Sequence, residues 1–406
     1  HIARLLRLPV VLVVDCGRLS RSLAAILHGY RTFDPQVDMA GVVLNRVGSD
    51  RHRAMLQAAI APLNLPILGI FPRDRGLTLP DRHLGLVPTD ELPDLPRRWE
   101  DLAQMGERCF DWPTLLPLLT GPGVRAGTRG RWGDGEMGRW GDGEEEAVGE
   151  AEKAPGGWGL SSTPMSLVSG GDGCLPRVRI GVARDRAFNF YYADNLLALA
   201  QAGADCIPFS PLADAALPPD LDGLYLGGGF PEMFAAALAA NGAMRQAVAH
   251  RLAAGLPTIA ECGGLMYLGR SLMDFDGQTW PMVGALPLDT AMTGKLSLGY
   301  RQVTARQSTP LVPAGIPLWG HEFHRSALAS PLSASLYDTT PYPVLGQPSP
   351  PAIQEGIGLG NIHASYVHLH WGDRPELPTR FVTYCRQFQQ QRLRESIVSG
   401  KHLGET

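Results

Sequence analysis

The chain has 406 residues with a formal net charge of −4 at pH 7, and 44% of its residues are hydrophobic. That length and apolar content are enough for two domains with separate cores. The slight acidic excess argues against a nucleic-acid-binding surface, and the apolar runs are far shorter than the roughly 20 residues of a membrane-spanning helix. Six cysteines without a Cys-x-x-Cys pair indicate the reduced thiols of a cytoplasmic protein and no structural zinc.

The first part of the chain alternates apolar, strand-like runs with helical stretches. Residues 8–15 form an apolar run that ends in an acid, which is typical of a strand buried on both faces of a parallel sheet. Further runs at 39–45 and 66–71, with a helix at 51–61 between them, complete a β-α-β-α-β order. We interpret residues 1–115 as part of a doubly wound domain with a truncated N-terminus, because the sequence opens in a helix and without methionine.

The composition changes at about residue 116. The unit Gly-Arg-Trp-Gly-Asp-Gly-Glu occurs at 130–136 and again at 138–144, and acidic and Gly/Ser-rich stretches follow. Such a segment buries too little apolar surface to offset the entropy lost on ordering it. We therefore predict a disordered linker at 116–175.

The alternation of strands and helices resumes after the linker. Strands are predicted at 177–183 and 222–226, with a helix at 192–202 between them. This order predicts a second parallel sheet, of flavodoxin-like type, in a domain at 176–390 that is followed by a tail at 391–406. Ligands of such sheets bind beyond the carboxyl ends of the strands.

Cys262 lies where a predicted strand meets a predicted helix. Residues 256–260 favour a strand, and Leu265 begins a helical apolar face. Gly263 and Gly264 allow a sharp turn between the two elements. The N-terminus of a helix stabilises a thiolate, the nucleophilic form of cysteine, and the N–H of Gly263 would point at the oxyanion formed when that thiolate attacks a carbonyl.

Two further segments favour a catalytic interpretation of Cys262 over that of a small buried apolar residue. Upstream, a predicted strand ends in three glycines, of which Gly228 and Gly229 are candidates for a second oxyanion donor. Downstream, His368 and His370 alternate along a strand-like segment. A cysteine combined with a histidine distant in sequence is the pattern of a base-activated thiol.

Several segments resemble the class I glutamine amidotransferases, and more closely the cobyrinic acid a,c-diamide synthases of corrin biosynthesis. They are Ala-Phe-Asn-Phe-Tyr-Tyr at 187–192, Gly-Gly-Gly-Phe-Pro-Glu at 227–232, Ala-Glu-Cys-Gly-Gly-Leu-Met-Tyr at 260–267, Leu-Gly-Tyr-Arg at 298–301, Gly-His-Glu-Phe-His at 320–324 and Ser-Tyr-Val-His-Leu-His at 365–370. The resemblance implies an α/β protein in which a partial P-loop-type sheet domain, similar to dethiobiotin synthetase, precedes a flavodoxin-like class I amidotransferase domain.

The resemblance also implies roles for individual residues. Cys262 would attack the side-chain amide of glutamine, with His368 as its base because this histidine matches the family's Ser-Tyr-x-His motif. Most class I amidotransferases carry a glutamate two residues after the histidine, whereas this chain has His370, so the group that orients His368 is unidentified and we expect a core or supporting role for His370. Asn45, at the end of its strand, is a candidate contact for adenine, and a turn-capping role is the alternative.

The substrates implied by the resemblance are glutamine, ATP with Mg²⁺ and a cobyrinate-type tetrapyrrole, whose a and c acetate carboxylates would receive ammonia made at Cys262. No Gly-x-x-x-x-Gly-Lys-Ser/Thr loop occurs in the sequence, so no cradle for the triphosphate is evident. Residues 82–88 also match a family segment, which we interpret as a structural loop. On a strand through 320–324, His321 lies on one face and Glu322 and His324 on the other, so three ligands do not converge and we expect no metal site there.

Several alternatives remain at this point. The tetrapyrrole could be hydrogenobyrinate or nickel-sirohydrochlorin instead of cobyrinate. A cysteine hydrolase on the same flavodoxin-like sheet would use the same cysteine and histidine, and a chain with an incomplete ATP-binding half could be an inactive fragment. The oligomeric state cannot be inferred from these patterns.

Overall fold

The computed structural model describes residues 2–74, 76, 92, 94–119, 176–332, 334–342 and 351–398. Most of the predicted linker and the family-like segment at 82–88 lie outside these residues. The chain divides into two compact units, His1–Leu160 and Ser161–Thr406, which are described separately. Within the described residues, no helix combines the length and hydropathy that crossing a membrane requires.

The first unit contains a three-stranded parallel sheet. Its strands are β1 (Val10–Asp15), β2 (Met39–Val47) and β3 (Ile67–Pro72), in that order across the sheet. Its helices are α1 (Ile2–Leu6), α2 (Ser22–Phe33), α3 (Asp50–Ile60), α4 (Leu95–Cys109) and α5 (Trp112–Leu119), with a 3₁₀ turn at Ala61–Leu63. The alternation predicted from the apolar runs is confirmed.

The two faces of this sheet are covered unequally. Buried leucines and isoleucines of α2 and α3 pack on one face, whereas on the other a smaller cluster joins Val43 and Leu68 to Leu115 of α5. The smaller cluster reaches β1 only at Val11, and Val13 is 62% exposed. The prediction that β1 is buried on both faces is therefore wrong for the described residues, because α4 and α5 pack against β3, at the opposite edge of the sheet.

The second unit contains the other described elements. In chain order its strands are β4 (Val178–Ala183), β5 (Phe188–Phe190), β6 (Ala204–Phe209), β7 (Gly223–Leu226), β8 (Gly228–Gly229), β9 (Thr258–Glu261), β10 (Ser271–Met273), β11 (Thr279–Pro281), β12 (Asp289–Ala305), β13 (Pro317–Leu328), β14 (Tyr337–Pro341), β15 (Ile353–Glu355), β16 (Ile357–Leu359), β17 (Ile362–Ser365) and β18 (His368–Leu369). The helices are α6 (Ala193–Gln201), α7 (Ala235–Ala240), α8 (Gly242–Ala253), α9 (Gly263–Leu268) and α10 (Glu376–Val398), with a 3₁₀ turn at Pro231–Phe234.

Six strands form the central sheet in the order β6-β4-β7-β9-β17-β16. The first five run parallel and β16 is antiparallel to β17. Buried residues of α8 and α9 pack on one face, and residues of α6 and α10 pack on the other. The predicted parallel sheet with flanking helices is confirmed, although α10 runs across the domain boundary that the sequence pattern placed at residue 390.

A second, mainly antiparallel sheet was not predicted. Its main path is β11-β10-β12-β13-β18, and β14 and β15 extend it from β12. The prediction of one strand through residues 364–371 is wrong, because β17 ends at Ser365 in the central sheet and β18 begins at His368 in the second one. The chain thus changes sheets directly before the candidate catalytic histidine.

Candidate active site

Cys262 occupies a sharp turn between β9 and α9. Its backbone has φ 49° and ψ −102°, a conformation that costs a non-glycine residue about 1–3 kcal/mol. Backbone hydrogen bonds hold the turn on both sides. The Cys262 N–H donates to the carbonyl of Ser365 at 2.8 Å, and the Cys262 carbonyl accepts from the N–H of Met266 at 3.1 Å. A strained strand-to-helix turn of this kind presents a nucleophile at the edge of an α/β sheet.

Gly264 is required by the close approach of α9 to β7. A Cβ at this position would overlap the carbonyl group of Leu226. The Gly264 N–H instead donates to the carbonyl of Gly227 at 3.0 Å. The start of α9 is thereby tied to the glycine segment that follows β7, as the sequence predicted from two glycine-rich turns.

The three candidate oxyanion glycines lie around this turn. Gly263 is the first residue of α9, so its N–H has no acceptor within the helix. A Cβ on Gly263 would lie 3.2 Å from the nitrogen of Gly229, and one on Gly228 would lie 2.5 Å from Cε1 of His368. The amides of Gly229 and Gly263 are therefore neighbours at the helix N-terminus, whereas Gly228 packs under the imidazole.

His368 lies beside Cys262 and is almost fully buried. Phe190 packs against the imidazole edge to face, with the ring centroids 4.8 Å apart. Burial opposes protonation of His368, but its interactions with Cys262 and Glu261 outweigh this and raise its pKa well above the ordinary value. The site therefore favours an imidazolium next to the sulfur.

Glu261 is a residue of the site that the sequence analysis missed. Its Oε2 lies 3.6 Å from Nδ1 of His368, slightly beyond hydrogen-bond length. The Tyr225 hydroxyl donates to Oε2 at 2.8 Å, and the Leu369 N–H donates to Oε1 at 3.2 Å. The available signal was an acid at the end of an otherwise apolar strand, directly before the cysteine.

His370 is separated from this pair. Its Nε2 lies 3.2 Å from a carboxylate oxygen of Asp194, and its side chain is 46% exposed. Its ring packs edge to face on Tyr192 at 5.1 Å. The expected core position is wrong, because β18 ends at Leu369 and the next residue leaves the sheet.

Glu355 holds the turn that leads from β17 to His368. Its Oε1 accepts from the Tyr366 N–H at 2.5 Å, and its Oε2 accepts from the Ser365 hydroxyl at 2.6 Å. The Ser365 hydroxyl in turn accepts from the N–H of Val367 at 2.9 Å. Burial outweighs these hydrogen bonds and raises the pKa of Glu355 to about 7.

The segment at 320–324 lies on β13, with its charged and polar groups divided between two faces. Glu322 forms an ion pair with Arg301 at 2.9 Å, and His324 stacks on Tyr366 with ring centroids 4.1 Å apart. His321 is paired in register with His368, and their ring centroids lie 6.5 Å apart. Among the described residues, no group of three His, Cys, Asp or Glu side chains is arranged to hold a metal ion.

Asn45 belongs to the first unit, at the carboxyl end of β2. It pairs in register with Asp15, and its side-chain oxygen accepts from the N–H of Arg46 at 2.9 Å. That bond is the turn-capping contact considered as the alternative. The side chain is nevertheless exposed at the edge where sheets of this type bind ligands.

Both units match known families. Residues 4–87 match the CobQ/CobB/MinD/ParA nucleotide binding domain, and residues 179–376 match the CobB/CobQ-like glutamine amidotransferase domain. A cobyrinate a,c-diamide synthase of a Synechococcus species is 45% identical over 388 residues, which are 95% of this chain and 76% of that protein. The chain belongs to the cobyrinate a,c-diamide synthase family.

Other members of the cobyrinate a,c-diamide synthase family match over nearly the whole chain. The Synechocystis enzyme of that name is 44% identical over 391 residues, 96% of this chain and 73% of the relative. A hydrogenobyrinate a,c-diamide synthase of Streptomyces coelicolor is 39% identical over 398 residues, 95% of this chain and 76% of the relative. A solved glutamine amidotransferase covers 52% of this chain and 98% of its own, with 16% identity and a TM-score of 0.37. The sequence matches to the two family models and to the synthases confirm the family resemblance seen in the motifs.

Proposed function

We propose that this chain is a glutamine- and ATP-dependent ligase that converts the a and c acetate carboxylates of cobyrinate into amides. The glutaminase part rests on one observation, which is Cys262 on a strained turn at a helix N-terminus with the buried imidazole of His368 beside it. The acceptor rests on likeness to relatives named cobyrinate a,c-diamide synthase, one of them 45% identical.

The first half of the glutaminase reaction forms a thioester. The Cys262 thiolate attacks the side-chain carbonyl carbon of glutamine, and the resulting oxyanion accepts hydrogen bonds from the N–H groups of Gly263 and Gly229. The imidazolium of His368 gives its proton to the departing nitrogen as the carbon–nitrogen bond breaks. Ammonia leaves, and glutamate remains bound to sulfur as the acyl group.

The second half returns the cysteine to its starting state. Neutral His368 takes a proton from water, and the oxygen attacks the thioester carbonyl carbon. The same two N–H groups stabilise the second oxyanion, which collapses as the carbon–sulfur bond breaks. Glutamate is released, and the thiolate and imidazolium are restored together.

The residues present fit only part of an ATP site. When bound, ATP activates the acceptor carboxylate as an acyl phosphate. The side-chain amide of Asn45 would hydrogen-bond to adenine, because this residue is exposed at the carboxyl end of β2. The sequence holds no Gly-x-x-x-x-Gly-Lys-Ser/Thr loop, so Asn45 is the one contact to ATP that we assign.

Hydrogenobyrinate is a second candidate acceptor. The observation that favours it is the 39% identity to a hydrogenobyrinate a,c-diamide synthase over 95% of this chain. The two acceptors differ in whether cobalt is present in the ring. Supplying each to the purified chain with glutamine, ATP and Mg²⁺, and measuring amide formation by mass, distinguishes them.

The glutaminase part is tested by glutamate and ammonia release from glutamine. We expect release by the unaltered chain and none by Cys262→Ser, because a hydroxyl at this position lacks the acidity of a thiol. His368→Asn should also abolish it. Release that persists at the normal rate in folded Cys262→Ser protein would show that the proposed nucleophile is wrong.

A further inference from the structure

The strand that carries the nucleophile also carries a carboxylate directed at the histidine. Nδ1 of His368 and Oε2 of Glu261 are 3.6 Å apart, and both side chains are at least 95% buried, with exposed fractions of 5% and 2%. Catalytic hydrogen bonds are often longer in unliganded sites than in complexes with substrate. The separation therefore suits a contact that shortens when glutamine binds.

Two hydrogen bonds fix the carboxylate in this place. The Tyr225 hydroxyl binds Oε2 at 2.8 Å, and the Leu369 N–H binds Oε1 at 3.2 Å. The ring of Tyr225 is itself held between Tyr191, edge to face at 5.1 Å, and Trp371, stacked at 5.8 Å. Because Leu369 directly follows the histidine, the same carboxylate approaches the imidazole and binds the backbone of its strand.

We propose that Glu261 is the positioning residue that orients the imidazole of His368 and stabilises its protonated form. The inference rests on the proposed glutaminase function and assigns the orienting group that the sequence left unidentified. His370, two residues after His368, does not supply it, since its ring is exposed and lies 3.2 Å from Asp194.

The arrangement sets which imidazole nitrogen exchanges protons. A carboxylate at Nδ1 favours a proton on that nitrogen, which leaves Nε2 to take the proton of the Cys262 thiol and later to donate it. The negative charge of Glu261 also favours the imidazolium that accompanies the thiolate. Without the carboxylate, the ring could turn or adopt the other tautomer, and the pair would form less often.

Two other histidines lie near His368, and they titrate in a different pH range from it. Burial and repulsion by His368 and Arg301 lower the pKa of His321. Burial also lowers the pKa of His324, to about 4, although its bond to the Ser326 carbonyl opposes this. Both shifts favour the neutral form of these rings, whereas the pKa of His368 is raised, so the titration of His368 is moved away from theirs.

Glu261→Gln in the full chain is the main test, because glutamine keeps the size and one acceptor oxygen but lacks the charge. We expect kcat for glutamine hydrolysis to fall roughly 10²- to 10⁴-fold, as in triads whose orienting carboxylate is neutralised, with little change in KM. The high-pH limb of the kcat/KM profile should move to lower pH. Tyr225→Phe, which loses one bond to the carboxylate, should give a smaller loss in kcat.

Asp222→Asn is the matched control for removing a buried acid. Asp222 is fully buried directly before β7, at the opposite end of the sheet from Cys262, where it accepts from the Arg179 N–H at 2.9 Å and from the Gln389 side-chain amide at 2.7 Å. This variant should lower the melting temperature and leave kcat and the pH profile unchanged. If the carboxylate acts on the histidine, Glu261→Gln must instead lower kcat and shift the pH profile, with a small change in melting temperature.

Alkylation of Cys262 by iodoacetamide separates this inference from the proposed function. We expect slower alkylation of Glu261→Gln than of the unaltered chain at neutral pH, whether or not glutamine is hydrolysed. Absence of glutaminase activity in both, with that difference in alkylation, would overturn the proposed function and support the orienting role. A folded Glu261→Gln protein with the unaltered alkylation rate, kcat and pH profile would overturn the orienting role.

Discussion

Glu355→Gln should change how the stability of the protein depends on pH. Glu355 is 8% exposed, and its carboxyl group accepts hydrogen bonds from the hydroxyl of Ser365 and the N–H of Tyr366. Burial raises its pKa from an ordinary value of 4.5 to about 7. The native state therefore holds this proton more tightly than the unfolded chain does between these two pH values.

The direction and the size of this effect of Glu355 on stability follow from proton linkage. Below pH 4.5 the carboxyl is neutral in both states and carries no penalty. As the pH rises towards 7, the unfolded chain loses this proton first, so the stability of the native state falls; above 7 the loss is complete. A pKa raised from 4.5 to about 7 corresponds to about 3 kcal/mol, since one pH unit is equivalent to 1.36 kcal/mol.

The assay is urea unfolding of the unaltered chain and of Glu355→Gln at several pH values between 4.5 and 8.5. Glutamine cannot ionise, so the stability of the variant relative to the unaltered chain should increase by about 3 kcal/mol across this range. Other groups titrate equally in both proteins and cancel from the difference. Parallel stability curves would refute the reasoning, because they would mean that Glu355 is ionised in the native state at the same pH as in the unfolded chain.

Two further substitutions test the placement of other residues. Gly228→Ala should lower kcat for glutamine hydrolysis at least tenfold with a small change in melting temperature, because the new Cβ would lie 2.5 Å from Cε1 of His368 and displace the base; steady-state kinetics with unchanged kcat would contradict this. Asn45→Ala should weaken ATP binding several-fold in calorimetry and leave glutamine hydrolysis intact, because the exposed amide lies at the carboxyl end of β2; equal ATP affinity would remove Asn45 from the nucleotide site.

The sequence was sufficient to predict the elements that depend on local pattern. Apolar runs predicted β1, β2 and β3 of the first unit and β4, β7 and β9 of the second, since strands of a parallel sheet flanked by helices are largely apolar, although β1 is partly exposed on one face. The sharp turn was predicted at Gly263 and Gly264, whereas Cys262 itself makes it with a positive φ, and Gly264 is required because it has no room for a Cβ against Leu226. These features are decided by neighbouring residues and by the period of the pattern.

The antiparallel sheet and the orienting carboxylate depend on long-range pairing and were missed. His368 lies on a strand of two residues whose place is fixed by β13 and by the bonds of Glu355 to the preceding turn. The carboxylate of Glu261 accepts a hydrogen bond from the N–H of Leu369, which is 108 residues away in the chain. No local periodicity signals such a contact, so an acid that ends an apolar strand was treated as part of the strand alone.

The strained turn at Cys262 explains how two consecutive residues, Glu261 and Cys262, can both interact with His368. Successive side chains of an extended strand point to opposite faces, so Glu261 and the next residue would diverge if β9 continued. The positive φ of 49° at Cys262 ends the strand at that residue, and both side chains then interact with His368. The backbone strain, about 1–3 kcal/mol, is thus the conformational cost of bringing nucleophile and carboxylate to one imidazole from adjacent positions.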